Sequence, residues 1–219
     1  MKALIFDMDG VILNSEPINT KVCVNILKKN GIDVNDKYFD KYLGIANPIM
    51  WEAIKKEYEI SKSVKEIIEI QEKETFEIMK NGDILKSPNL KEFLSMLKNN
   101  NIPCAIASSS PQELINIIVD KLEIKEYLQF WISAENFNTS KPDPKIFIET
   151  ANRLGIESKD IIVIEDSENG IKAAKRAGMK CIAYSKHHIG TPNMSEADYI
   201  INDFSEILTY EKLKEIFYI

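Results

Sequence analysis

The chain has 219 residues, 44% of them hydrophobic and 28% charged, with a formal charge of −6 and a pI of about 5.2. That composition supports a folded chain with a sizeable core, built as one large domain or as one domain with a smaller insertion. The acidic balance argues against nucleic acid as a partner, and it requires any anion-binding site to supply its own local positive charge.

Residues 3–6, Ala-Leu-Ile-Phe, form a short apolar run that ends abruptly at Asp7. The run is too short for a signal-peptide core or a membrane span, and no later stretch is long enough to cross a bilayer, so a soluble cytoplasmic protein is expected. From Ser15 to Lys80 the pattern is helical. Val22, Ile26 and Leu27 lie at helical spacing and Gly31 stops the segment. Asn47-Pro48 reads as the cap and first turn of a helix through Trp51 and Ile54. Ser63-Val64-Lys65-Glu66 is a capping box opening a long helix through Ile67, Ile70, Phe76 and Met79. Asn81-Gly82-Asp83 is a turn signal.

Beyond residue 82, strand and helix patterns alternate. Apolar runs at 104–107, 130–132, 161–164, 181–184 and 199–201 suit strands buried on both faces of a parallel sheet. Helical spacing appears at Leu90-Phe93-Leu94-Leu97 after Ser87-Pro88, which reads as a cap. It recurs through Leu114, Ile117, Ile118 and Leu122. It appears again from Ile146 to Leu154 before Gly155, and at Ile171-Ala174-Ala177 before Gly178. The expected architecture is α/β: a doubly wound, mainly parallel, Rossmann-like sheet carrying an inserted all-helical cap. The α/β core is placed at residues 1–14 and 82–219 and the cap at 15–81. Crossings near 13–16 and 79–83 would form a hinge. Cys23, Cys104 and Cys181 are far apart and form no C-x-x-C, so they read as small core side chains in a reducing compartment. His187-His188 read as surface-loop residues.

Ligands of open parallel sheets bind beyond the carboxyl ends of the strands, so the residues after each apolar run matter most. After 3–6 comes Asp7-Met8-Asp9-Gly10. Residues i and i+2 of an extended chain point to one side, which brings two carboxylates together. Such a pair is either a capping or turn feature, or it serves a cation or a shared proton. After 104–107 comes Ser108-Ser109-Ser110-Pro111, either a helix N-cap or an anion cradle of hydroxyls and N–H groups. Ser140-Lys141-Pro142-Asp143-Pro144 is a loop stiffened by two prolines. Its lysine is either solvated or a fixed point charge for a phosphate oxygen. After 161–164 comes Glu165-Asp166-Ser167, either helix capping or hard oxygen ligands suited to Mg²⁺. Four such groups at equivalent strand ends favour the functional reading in each case. Two acidic pairs can hold Mg²⁺, and the serines and lysine can hold a phosphate beside it.

In this order the motifs resemble those of the haloacid dehalogenase-like hydrolase superfamily. The matching segments are Asp7-Met8-Asp9-Gly10-Val11, Ile106-Ala107-Ser108-Ser109-Ser110, the segment from Ser140 to Phe147, and the segment from Ile164 to Ala174 continuing to Gly178-Met179. The position of the helical insertion is similar to the branch holding β-phosphoglucomutase, phosphoglycolate phosphatase and sugar-phosphate phosphatases. The resemblance implies Asp7 as nucleophile forming an aspartyl phosphate and Asp9 as general acid and base. It implies Mg²⁺ on Asp7, the Asp9 backbone carbonyl and Asp166, with Glu165 supporting or completing the set. Ser108, the Ser109 N–H and Lys141 would hold phosphate.

A retained Asp9 favours phosphoryl transfer at oxygen over dehalogenation. The histidine that helps the mutases align their acid–base aspartate is matched by Asn19, and Asn47-Pro48 follows Leu43-Gly44-Ile45-Ala46 where the mutases carry a basic residue. The expected function is therefore hydrolysis of a small phosphate monoester, with a β-phosphoglucomutase-type reaction as the alternative. The expected partner is a small phosphorylated metabolite, with no nucleic acid or membrane, and the expected state is a monomer or weak homodimer.

Overall fold

The computed structural model describes residues 1–42, 45, 47–137, 139–187 and 193–218, without the side chains of Asn136, Phe217 and Tyr218. Leu43, Gly44 and Ala46 of the expected glycine loop, and His188, Gly190 and Pro192, lie outside the described residues. In chain order the elements begin with β1 (Ala3–Phe6), α1 (Glu16–Lys29), α2 (Asn47–Tyr58) and α3 (Val64–Asn81). They continue with α4 (Leu90–Asn99), β2 (Cys104–Ser108), α5 (Gln112–Lys121), β3 (Phe130–Ser133) and α6 (Lys145–Leu154). The last are β4 (Ile161–Glu165), α7 (Glu168–Arg176), β5 (Lys180–Tyr184), β6 (Tyr199–Ile201) and α8 (Tyr210–Tyr218). Every apolar run read as a strand is one, extended by at most one residue at an end. The α4 start differs: Asn89, at φ 58°, is the cap residue in place of Ser87-Pro88.

The described residues divide into two compact units, one of 1–14, 84–187 and 193–218, the other of 15–83. In the α/β unit the six strands are all parallel, in the order β3-β2-β1-β4-β5-β6. The order reverses at β1, so the strand that leads into Asp7 lies between β2, which ends in Ser108, and β4, which ends in Glu165. This is the switch point at which doubly wound sheets bind ligands.

The two faces of β1 explain its apolar continuity. Ala3 and Ile5 pack with Phe147, Ala151, Ile171 and Ala174 of α6 and α7. Phe6 points the other way, its ring 6.1 Å from Phe93 of α4 and 6.3 Å from Phe204. Both faces are dry, and each buried aromatic ring contributes about 1.5–3 kcal/mol by leaving water.

The helical unit has its own core of Val22, Ile26, Leu27, Phe39, Met50, Trp51, Ile54 and Ile67. Within it Trp51 Nε1 donates to Gln71 Oε1 at 2.7 Å. The capping box is formed: Ser63 Oγ accepts from the Glu66 N–H, and the Glu66 carboxylate accepts from the Ser63 N–H. Asn19, on α1, accepts from Thr75 Oγ1 of α3 at 3.3 Å. A 3-10 segment at Asp36–Tyr42 was not legible as helix in the sequence. No described helix is long and apolar enough to cross a membrane. The three cysteines are buried and free, and burial pushes the Cys23 and Cys104 thiols up to about 12.

Candidate active site

Asp7 follows β1 directly and remains in the sheet, its N–H donating to the Ile164 carbonyl of β4 at 2.9 Å. It is 6% exposed. The chain then turns sharply. The N–H groups of Val11, Ile12 and Leu13 converge on the Met8 carbonyl, and Gly10 sits at φ +77°. Gly10 is also required sterically, because a Cβ there would lie 1.8 Å from Asp166 Oδ2. The missing side chain is what lets the Asp166 carboxylate lie against the first loop.

Lys141 joins the two acidic motifs. Its ammonium donates to Asp7 Oδ1 and, at 2.7 Å, to Glu165 Oε1, with its side chain 8% exposed. It also lies 5.0 Å above the Phe147 ring. The loop lysine is therefore a buried, paired cation and not a solvated one. Burial alone would lower its pKa, but the charges of Asp7 and Glu165 outweigh that and hold it above the usual lysine value.

Glu165 has both oxygens engaged. Oε1 takes Lys141, while Oε2 accepts from the Asp166 N–H at 2.8 Å, the Ser167 N–H at 2.8 Å and Ser167 Oγ at 3.0 Å. Ser167 in turn caps α7, its Oγ accepting from the Gly170 N–H at 3.0 Å. Gly170 leaves the space Glu165 fills, since a Cβ there would fall 1.7 Å from Glu165 Oε1.

Ser108 is buried at the end of β2 and its Oγ accepts from the Ser110 N–H at 3.0 Å; Ser109 is exposed. Asp9 is half-buried, and its Oδ2 accepts from Ser110 Oγ at 2.7 Å. Asp7, Lys141 and Glu165 are thus joined by direct bonds and Asp166 lies beside them, while Asp9 is held from the serine loop. The sequence offers Ser110 as one serine of a possible anion cradle and not as a partner of Asp9. Its one available signal was the third position of the Ser108-Ser109-Ser110 run. His187, read as a surface-loop residue, lies in a turn after β5, half-buried, where Nε2 bonds Ser87 Oγ at 2.9 Å and the ring packs on Tyr184 at 5.6 Å.

One carboxylate oxygen from each of Asp7, Glu165 and Asp166 lies within 4.8 Å of the others. Burial pushes the Asp7 carboxyl well up; Lys141 opposes this, and the charges of Glu165, Asp166 and Asp9 reinforce it. Hard oxygen donors at this spacing fit a small divalent cation, and its charge would offset the excess of anions over the single ammonium at Asp7.

Residues 4–184 match the model of a family described as "Haloacid dehalogenase-like hydrolase". The chain is 26% identical over 221 residues, 95% of its own length and 100% of the relative's, to a "Phosphorylated carbohydrates phosphatase" of Thermotoga maritima. It is 23% identical to "Hexitol phosphatase B" of Escherichia coli, covering 96% of each chain. A solved structure described as a "putative beta-phosphoglucomutase from Thermotoga maritima" superposes with a TM-score of 0.78 at 25% identity, over 98% of this chain and 99% of that one.

Proposed function

This chain belongs to the haloacid dehalogenase-like hydrolase family, and from that premise we propose that it is a Mg²⁺-dependent phosphatase of a small phosphate monoester, a sugar phosphate or similar metabolite. The observation that carries the reading is the separation of two neighbouring carboxylates. Asp7 is buried and held by Lys141, while Asp9, two residues on, is held by Ser110.

Asp7, anchored by a cation on Oδ1, is the nucleophile. Its carboxylate oxygen bonds to phosphorus as the ester P–O bond breaks. The electron pair of that bond passes to the leaving oxygen, which takes a proton from Asp9. In the second half Asp9 removes a proton from water, the water oxygen bonds to phosphorus, and the bond from phosphorus to Asp7 breaks. Inorganic phosphate leaves and Asp7 is regenerated. Ser108, the Ser109 N–H and Lys141 bind the non-bridging phosphate oxygens. Asp7, the Asp9 carbonyl and Asp166 would hold Mg²⁺, which would supply positive charge against the phosphate dianion. Glu165, already taking four protein donors, supports that set by fixing Lys141 and the Asp166 N–H.

The reacting residues belong to the α/β unit, and the helical unit is the cap. Buried free cysteines suit a reducing compartment, and we place the enzyme in the cytoplasm. Phosphate release should be measured over sugar phosphates, phosphoglycolate and nucleotides with Mg²⁺. Release abolished by chelator and by Asp7→Asn is expected; no release from any ester would sink the reading. The likeness to the Thermotoga structure keeps a phosphosugar mutase as the second reading. Isomerisation of glucose 1-phosphate without net phosphate release would decide for it. Asn19, engaged with Thr75 inside the helical unit, speaks for the phosphatase.

A further inference from the structure

We propose that Ser110 is the positioning residue for Asp9: its hydroxyl holds the acid–base carboxylate in the rotamer that serves the leaving oxygen. The end of β3 in turn holds Ser110. This rests on the phosphatase reading above.

The backbone of Asp9 is set by the Gly10 turn, but that turn leaves its side-chain torsions open. The Asp9 charge acts on the buried Asp7 carboxyl, so the two carboxylates repel each other. The Ser110 Oγ–H to Asp9 Oδ2 bond, at 2.7 Å, has the length of a charge-assisted hydrogen bond and selects one orientation.

A serine in a loop positions a partner only if the loop itself is fixed, and this one is clamped along its length. The Ser110 N–H donates to Ser108 Oγ at 3.0 Å, and Ser133 Oγ donates to the Ser110 carbonyl at 2.7 Å. Two residues on, the Gln112 N–H donates to Glu135 Oε2 at 2.6 Å, and Gln112 Oε1 accepts from the Ser133 N–H at 3.1 Å. Ser133 pairs with Ser108 in the sheet register and is 2% exposed. A continuous chain of bonds therefore runs from the buried end of β3, through the loop after β2, to the Asp9 carboxylate.

In the first half of the reaction the consequence depends on the leaving group. When the ester bond breaks, its electron pair goes to the leaving oxygen. An alkoxide needs the Asp9 proton at that moment, and a nitrophenolate does not. A misplaced Asp9 should therefore slow sugar phosphates far more than it slows p-nitrophenyl phosphate in the phosphoenzyme-forming step.

The test compares the wild-type protein with Ser110→Ala and Ser110→Thr, all with Mg²⁺. It measures kcat and KM on a sugar phosphate and the pre-steady-state burst of nitrophenolate. We expect Ser110→Ala to lower kcat on the alkyl ester by about 30-fold, a share of the 10²–10⁴ that a positioned acid contributes. KM and the burst rate should stay within about threefold, and Ser110→Thr, which keeps the hydroxyl, should recover most of the loss. An equal loss on both esters, a loss confined to KM, or no rescue by threonine would overturn the proposal. A crystal structure of Ser110→Ala gives a readout independent of turnover. The Asp9 carboxylate should leave its wild-type rotamer there and keep it in Ser110→Thr, and an unmoved Asp9 in the alanine variant would also overturn it. A wild-type protein that hydrolyses no ester refutes the function proposed above, while the crystallographic comparison still decides the role of Ser110.

Discussion

Replacing Gly170 with alanine should damage this protein, although it is a glycine inside helix α7. At an ordinary helix position the change would stabilise by about 1 kcal/mol through helix propensity. Here the new Cβ would lie 1.7 Å from Glu165 Oε1, 1.8 Å from its Cδ and 2.3 Å from Oε2, where real Cβ contacts stay above 3.0 Å. The carboxylate must move by about 1.3 Å, the shortfall between 1.7 and 3.0 Å. Glu165 is 1% exposed and has no water to move into. It is also tied to Lys141 at 2.7 Å and to two N–H groups at 2.8 Å each. Hydrogen bonds to a charged group contribute about 1.5–3 kcal/mol each, so losing two of them outweighs the propensity gain and leaves a net cost of about 2–5 kcal/mol.

For a chain of this size that cost corresponds to a fall in Tm of about 4–20 °C. Phosphate release should drop by about 10²-fold or more as Lys141 loses one of its two anchors. Thermal denaturation and the phosphate assay read the two effects. The variant made in a Glu165→Ala background is the internal control. With the carboxylate gone the clash is gone, and Gly170→Ala should raise Tm there. A Gly170→Ala protein with raised Tm and wild-type activity would refute the packing of Glu165 against this glycine.

Lys141→Met should keep the stem's volume while removing the ammonium from Asp7 and Glu165. We expect phosphate release to fall by about 10³-fold, as for loss of a preorganised electrostatic partner, with a lowered Tm from the uncompensated buried carboxylates; retained activity in a steady-state assay would remove Lys141 from the site. Burial works to raise the Asp198 pKa, but bonds from Lys175 and the Cys181 N–H outweigh it and hold the carboxyl below its usual value. A depressed folded-state pKa contributes stability above the unfolded value of about 3.9, and that contribution is lost as pH falls through the folded value. Urea midpoints should therefore separate wild type from Asp198→Asn at pH 7 and draw together as pH falls below about 3.9, and a gap independent of pH would contradict the assignment. In the helical unit, Trp51→Phe strands buried Gln71 Oε1, which accepts from Trp51 at 2.7 Å. It should cost about 1–3 kcal/mol in chemical denaturation, and a cost near zero would mean Gln71 finds another donor.

The sequence by itself determined the strands of the sheet and helices α1–α7, because those signals are local, but not α8 or the 3-10 segment Asp36–Tyr42. An apolar run such as residues 161–164 can only be dry on both faces, and Ser63 with Glu66 closes a capping box within one turn. It also determined that Asp7, Ser108, Lys141 and Asp166 follow strands, which marked them as candidates for one site. Burial says that a strand has neighbours but not which ones, so only the tertiary structure decided the order that sets β1 between β2 and β4. Each fact that depends on that order was hidden in the sequence. Ser110 meets Asp9 across 101 residues, and Lys141 reaches Asp7 across 134. Glu165, one of two adjacent acidic residues in the sequence, is spent on Lys141 and its own loop, while Asp166 faces the glycine turn. Residue type supplies the chemistry a side chain can do. Sheet register, set by many buried contacts at once, decides which partner it meets.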